Sequence, residues 1–328
     1  MNSNVLVTGG AGYIGSHACK SISKIGLIPV TVDNLVTGWK DAVKYGPFEY
    51  ADLLDRSSID LIFKKYKPIA VMHFAAYAKV TESIKNPGIY WRNNVMGSLN
   101  LIETSIEHNC LDFIFSSTCA TYGDYNDNIL SETSYQKPTN PYGQSKLAIE
   151  KIVKNFSTSA GLRNIIFRYF NVAGADQDSE IGEFHKPETH LIPLILEQVQ
   201  NPNSSITIFG TDYNTPDGTC IRDYVHVCDL VDAHVLGLKW LQSGGKNSVY
   251  NLGTNDGFSV REVINSVEQV TQKKINIVEG KRRLGDSPKL VSSSNLARKE
   301  LGWNPYRSNL KKIITDSWHW HQKKNYIN

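Results

Sequence analysis

The chain has 328 residues, 41% hydrophobic and 20% charged, the balance of a folded globular protein with room for two cores. Its 35 basic and 32 acidic residues are interspersed and leave a net charge of +3, so no phosphate-tracking surface forms and nucleic acid is set aside as a partner. No stretch reaches the ~18 apolar residues of a membrane span, no secretory leader is evident, and the cysteines at 19, 110, 119, 220 and 228 form no Cys-X-X-Cys pair; the expectation is a cytoplasmic protein with reduced thiols, no membrane partner and no metal.

In chain order, "NVLVTGG" reads as a buried strand, Ile14 to Ile25 as a helix, and "IPVTVDN", "AVMHFAA", "FIFSST" and "NIIFRYFN" as further strands. Near-continuous Val, Ile and Phe suit strands covered on both faces, and their alternation with amphipathic stretches predicts an α/β fold with a doubly wound parallel sheet. After Asn171 the texture turns polar in "VAGADQDSEIGEFHKPETH", which marks a second, smaller C-terminal α/β unit. The expected division is residues 1–172 and 173–328, with a return to the first layer through 222–253, where "RDYVHVCDLVDAHVLGLKWL" and "SVYNLG" read as a helix and a strand.

"VLVTGGAGYIGSH" runs from a strand through Gly9, Gly12 and Gly15 into a helix. Such a turn lets backbone approach a pyrophosphate, whose charge sits on free N–H groups at the helix N-terminus. Glycines also serve plain turns, so the context decides: Asp33 ends the next apolar run in "TVDNL", where a carboxylate accepts from ribose hydroxyls and repels a 2′-phosphate. Together these features predict a Rossmann-type dinucleotide fold that takes NAD. Asp52 in "EYADLL" is a candidate for the adenine amino group or an ordinary turn aspartate, and Ala75 and Ala76 would let a cofactor lie against backbone or simply pack closely.

In "TNPYGQSKLAIEK", Pro141 suits a first helical turn and places Tyr142 and Lys146 on one helix face. A phenol with an ordinary pKa of ~10 becomes a usable base at neutral pH when an ammonium and an oxidised nicotinamide favour its anion. Alone, the pair would more often be a core tyrosine and a snorkelling lysine. "FSSTCATYG" adds a hydroxyl at a strand's C-terminal end, where open α/β sheets meet ligands, so that Thr118 with Ser116 or Ser117 can relay a proton to Tyr142.

These features, with "NPYGQSKL", "RYFNVAGA", "DGTCIRDYVHV" and "RRLGD", resemble the extended short-chain dehydrogenase/reductase family, and within it the nucleotide-sugar 4-epimerases, from Val5 to about Trp320. The resemblance implies a UDP-hexose substrate, transient oxidation at the sugar C4 by tightly held NAD, interconversion of UDP-glucose and UDP-galactose, and a homodimer. It implies that Tyr142 takes the C4 hydroxyl proton, Thr118 shares it and Lys146 holds the nicotinamide ribose. Further cofactor contacts are implied from Tyr13, Ile14, Asn34, Leu53, Phe74, Asn93, Ser116 and Phe170. Substrate contacts are implied from Asn171, His190, Leu191, Phe209, Arg222, Arg283 and Asp286, with the two arginines clamping the diphosphate.

Two positions depart from the family's usual wording. His190 replaces an Asn in "ETHLIP", and Leu290 stands at a pocket wall where relatives place Tyr or Cys, so the sugar range stays open among hexose, N-acetylhexosamine and pentose. Dehydratases and decarboxylases of the same fold need a carboxylate after the strand-end hydroxyl, where this chain has Cys119 and Ala120. A non-catalytic NAD sensor would have no use for Tyr142, Lys146 and Thr118 together. His319 and His321 in "WHWHQKK" do not share a helix face, which argues against a metal there.

Overall fold

The computed structural model describes residues 3–123, 129–283 and 286–323. The chain opens with β1 (Asn4–Thr8), α1 (Tyr13–Lys24), β2 (Ile28–Asp33), β3 (Phe48–Tyr50), α2 (Arg56–Tyr66) and β4 (Ala70–His73). Two short helices, α3 (Val80–Lys85) and α4 (Pro87–Tyr90), lead through a π-helical turn, Trp91–Met96, into α5 (Gly97–Glu107). Then follow β5 (Asp112–Thr118), α6 (Pro141–Ala160), β6 (Arg163–Tyr169), β7 (Asn171–Ala173), α7 (Leu191–Gln200), β8 (Ile206–Phe209), β9 (Ile221–Arg222), β10 (Tyr224–His226) and α8 (Val227–Gln242). The chain ends with β11 (Ser248–Leu252), β12 (Phe258–Ser259), α9 (Val260–Thr271), β13 (Ile277–Gly280), β14 (Lys289–Leu290), α10 (Asn295–Leu301) and α11 (Leu310–Lys323).

Seven strands form one parallel sheet in the order β11-β6-β5-β4-β1-β2-β3. Strand period explains how it is covered. Val5 and Val7 of β1 point into one core with Ile22 of α1 and Leu230 and Leu238 of α8, while Leu6 points into the other with Ile59 and Phe63 of α2 and Leu101 of α5. Each such aliphatic side chain, fully buried, contributes about 1.5–3 kcal/mol. This is the doubly wound Rossmann-type fold, whose strand order reverses between β1 and β4 and opens a crevice there. The register Thr8↔His73 and Thr118↔Tyr169 brings the C-terminal ends of β1, β4, β5 and β6 to one edge.

A third core gathers Ile192, Ile195 and Leu196 of α7, Val263 and Ile264 of α9, and Ile313 and Ile314 of α11. Beside it lie small sheets: β10 with β7, β12-β9-β14, and β13 with β8. Helix α1 starts at Tyr13 and ends at Lys24, one residue before the predicted span at each end. Strand β3 was not legible, because its three residues include an exposed Tyr50 and show no apolar run. Among the described residues no helix is long and apolar enough to cross a membrane.

Candidate active site

The glycine loop is packed backbone on backbone. Gly9 has φ +71°, and a Cβ there would meet the Ala75 nitrogen at 2.6 Å; a Cβ on Gly15 would stand 2.1 Å from the Gly9 carbonyl oxygen. Gly12 caps α1 without a side-chain hydrogen bond, and the first-turn N–H groups of Tyr13, Ile14 and Gly15 have no carbonyl within the helix to bond. A phosphate fits this unclaimed positive end. The Tyr13 hydroxyl donates to the Gly174 carbonyl at 2.6 Å and ties α1 to the segment after β7.

From the loop a cleft runs along the strand ends, lined by Gly9, Asp33, Asn34, Asp52, Leu53, Ala75, Ala76 and Asn93, all predicted, and by Tyr77 and Thr37, which were not. Asp33 accepts from the Ala11 amide at 3.0 Å and the Leu35 amide at 2.8 Å, and burial raises its carboxyl above the usual value. Asn34 donates to Asp52 at 2.9 Å, which fixes both polar groups at the cleft wall. A narrow cleft bounded by close-packed glycines, an acidic side chain and an uncapped helix start fits a dinucleotide.

At the end of β5, Ser116 and Thr118 share a face and Ser117 takes the other. Ser117 donates to Glu150 at 2.5 Å, inside a buried network in which Arg168 binds both Glu150 oxygens at 3.0 and 2.7 Å. The alternative of Ser117 as relay therefore gives way to Ser116 and Thr118. Burial pushes the Tyr142 phenol up to about 12, outweighing the nearby Thr118 hydroxyl, which draws it down. Lys146 donates to the Ser116 carbonyl at 2.8 Å and lies 4.9 Å from the Phe115 ring centre. Burial lowers it to about 7 although Glu150, one turn on, favours its charge. Within the chain alone, desolvation dominates both groups.

Across the cleft, Phe170 packs with Tyr122 and Leu130, and Leu290 rests against this cluster. The side-chain nitrogen of Asn171 is buried without a hydrogen-bond partner and so has a donor to offer. Leu290 is paired in register with Arg222, whose guanidinium donates to the Ser287 carbonyl at 2.8 Å and lies 3.5 Å from Asp286. Arg283 lies over Phe209, 3.9 Å from its ring centre, whereas the adjacent Arg282 is turned back onto Asp212 at 2.7 Å. Leu284 and Gly285 of the "RRLGD" string lie outside the described residues. His190 is the N-cap of α7, just before Leu191, and its Nδ1 contacts Glu183.

The profile of the NAD dependent epimerase/dehydratase family matches residues 5–253. The chain belongs to this family. It is 44% identical over 324 residues to a UDP-glucose 4-epimerase of Rhizobium meliloti (strain 1021), covering 99% of this chain and 98% of the relative. It is 46% identical over 320 residues to a UDP-glucose 4-epimerase of Streptococcus mutans, covering 97% and 96%. A crystal structure of UDP-glucose 4-epimerase from Brucella ovis in complex with NAD superimposes with a TM-score of 0.94 at 44% identity, covering 97% of this chain and 98% of that one.

In this epimerase/dehydratase chain, sequence reading missed the residues that support the site from behind. Asn94, buried in the π-helical turn, exchanges hydrogen bonds with the Tyr77 backbone at 2.8 and 3.0 Å and reaches Ser145 of α6 at 3.2 Å. That turn sets Asn93 on the cleft wall, an instance of π-geometry at a functional site. Tyr90, also buried, lays its ring edge-on to Tyr142. The available signal was "WRNNV", with two amides side by side where only one was assigned.

Proposed function

We propose that the chain interconverts UDP-glucose and UDP-galactose by transient oxidation at the sugar C4, holding NAD throughout. Bound NAD supplies a reversible acceptor for the C4 hydride. The observation that carries the reading is the meeting of Tyr142, Thr118 and Lys146 at the end of β5, with Cys119 and Ala120 rather than a carboxylate after Thr118. Tyr142 takes the C4 hydroxyl proton and returns it, with Thr118 sharing it. At about 12 the phenol is a poor base, so it works only where further positive charge stands beside it. Ser116 and Lys146 would hold the cofactor on its ribose side, with Phe74 and Phe170 as further cofactor contacts. Asn171, Arg222 and Arg283 receive the diphosphate, Asp286 the ribose and Phe209 the base, while His190 and Leu191 contribute backbone.

The test is incubation of purified protein with UDP-galactose, without added NAD, followed in the anomeric region by proton NMR. UDP-glucose of unchanged mass is expected. No conversion with or without added NAD, or a product of altered mass, overturns the assignment. The same assay with N-acetyl and pentose analogues reads the sugar range set by the wall at Leu290. A homodimer is part of the proposal on the strength of the family resemblance alone, because Ile152 and Phe156 of α6 pack against the chain's own core. Sedimentation as a monomer at micromolar concentration rejects it.

A further inference from the structure

One cluster of side chains lies outside the chemistry above and meets it only through the backbone of His190. Between β7 and α7, "GEFHKPETH" brings Glu183, His185, Glu188 and His190 together, with one ligand atom of each within 4.8 Å of the others. His185 Nδ1 stands 3.4 Å from Glu183 Oε1 and 3.5 Å from Glu188 Oε2; His190 Nδ1 contacts Glu183 Oε1 and lies 3.9 Å from the Glu188 carboxylate. A tetrahedron with metal bonds near 2.1 Å has edges of about 3.4 Å, which is the spacing found at His185.

Two details separate this cluster from a plain ion-pair network. His185 Nδ1 is buried without a hydrogen-bond partner, placed almost evenly between two carboxylates at a distance longer than a good hydrogen bond. Glu188 Oε2 is buried and equally unpartnered, while its other oxygen accepts from the amides of Thr189 at 2.7 Å and His190 at 2.9 Å. One oxygen is anchored and the other is offered inward, as for a ligand carboxylate held by its outer shell.

We propose that Glu183, His185, Glu188 and His190 form a tetrahedral site for a structural zinc ion. Two imidazoles and two carboxylates suit zinc rather than the harder magnesium or calcium, and four protein ligands leave no open position for catalysis. The contrast is with Asp176, Asp178 and Glu180, whose carboxylates already converge on the Lys20 ammonium at 2.7, 3.3 and 2.8 Å. The zinc would staple residues 183–190 where the Glu183 carbonyl accepts from Trp320 at 2.9 Å and the Phe184 carbonyl from Trp39 at 3.1 Å. It would thereby join the glycine-loop side to the start of α7. This inference does not depend on the proposed reaction.

The test uses the full chain without an affinity tag, supplied with zinc and then passed over a chelating resin. Metal analysis is expected to find about one zinc per chain, and cobalt(II) substitution to give an intense tetrahedral visible band. His185→Ala and Glu188→Gln should each lower retained zinc at least about tenfold and abolish the band, since even outer-shell changes cost about 10–100-fold. Chelator should lower the melting temperature of the parent and leave that of the variants unmoved. Glu188→Gln preserves shape, so a folded variant without zinc separates loss of a ligand from loss of fold. No zinc above background after reconstitution, or equal zinc in the parent and both variants, overturns the proposal.

Discussion

On the cofactor side of the cleft the contacts come from backbone, with Gly9 and Gly15 pressed against neighbouring main chain and Asp33 held by two amides. On the far side they come from side chains on short strands, with Arg222 against Asp286 and Arg283 lying on a half-exposed Phe209. The first region tolerates almost no change in residue type, because a single added carbon collides with peptide atoms. The second can shift its side chains, which is where a family of one fold can alter the sugar it accepts.

The largest effect is expected between the two regions. Tyr142→Phe removes the proton carrier and should lower turnover by about 10²–10⁴-fold while NAD stays bound through dialysis, read by ultraviolet spectra. An unaffected rate would dismiss Tyr142 as the base. On the cofactor side, Gly15→Ala should cost about 3 kcal/mol or more of stability and release NAD, read by thermal unfolding and absorbance, since its Cβ would stand 2.1 Å from a backbone oxygen. Retained NAD and an unchanged melting temperature would break the comparison.

Acid should act on the Rossmann core rather than on the substrate side. His17, His73 and His234 are buried there, and burial lowers them to about 4, 3 and 4. Their folded values lie below the ordinary 6.5, so the unfolded chain binds more protons in between. Their contribution is fully present above about 6.5 and is lost as pH falls toward 4, by on the order of 1 kcal/mol per histidine per pH unit between 6 and 5. A melting temperature flat from pH 6 to 5 would contradict this. The smallest effects belong to the far side: Arg222→Lys should raise KM by about tenfold and Arg283→Ala by less, because Arg222 is partly buried beside Asp286 and Arg283 is exposed. The reverse order in steady-state kinetics would show that the stacked arginine is the stronger clamp.

What could be read from residues follows the same division. Strands that are apolar on both faces, glycines that nothing else can replace and an acid one strand later are local necessities, so β1, β2, β4, β5 and β6 and the cofactor wall were legible. Helical spacing put Tyr142 and Lys146 on one face, and the hydroxyls ending β5 made them candidates for the chemistry. Their proton affinities did not, because desolvation depends on what the rest of the chain packs around them, and it moved the phenol up and the amine down. Ser117 looked equivalent to its neighbours until strand alternation turned it onto Glu150.

By itself, then, the sequence determined the parallel sheet and the dinucleotide loop, and named the tyrosine, lysine and threonine as candidates, through periodicities of two and 3.6 and the steric demands of glycine. Only the tertiary structure decided that Arg222 meets Asp286, that Asn171 keeps an unpaired donor, and that Glu183, His185, Glu188 and His190 converge. Those groups are joined by loops and crossovers whose course no local pattern encodes, and the free energy that brings them together is the burial of distant apolar faces against one another.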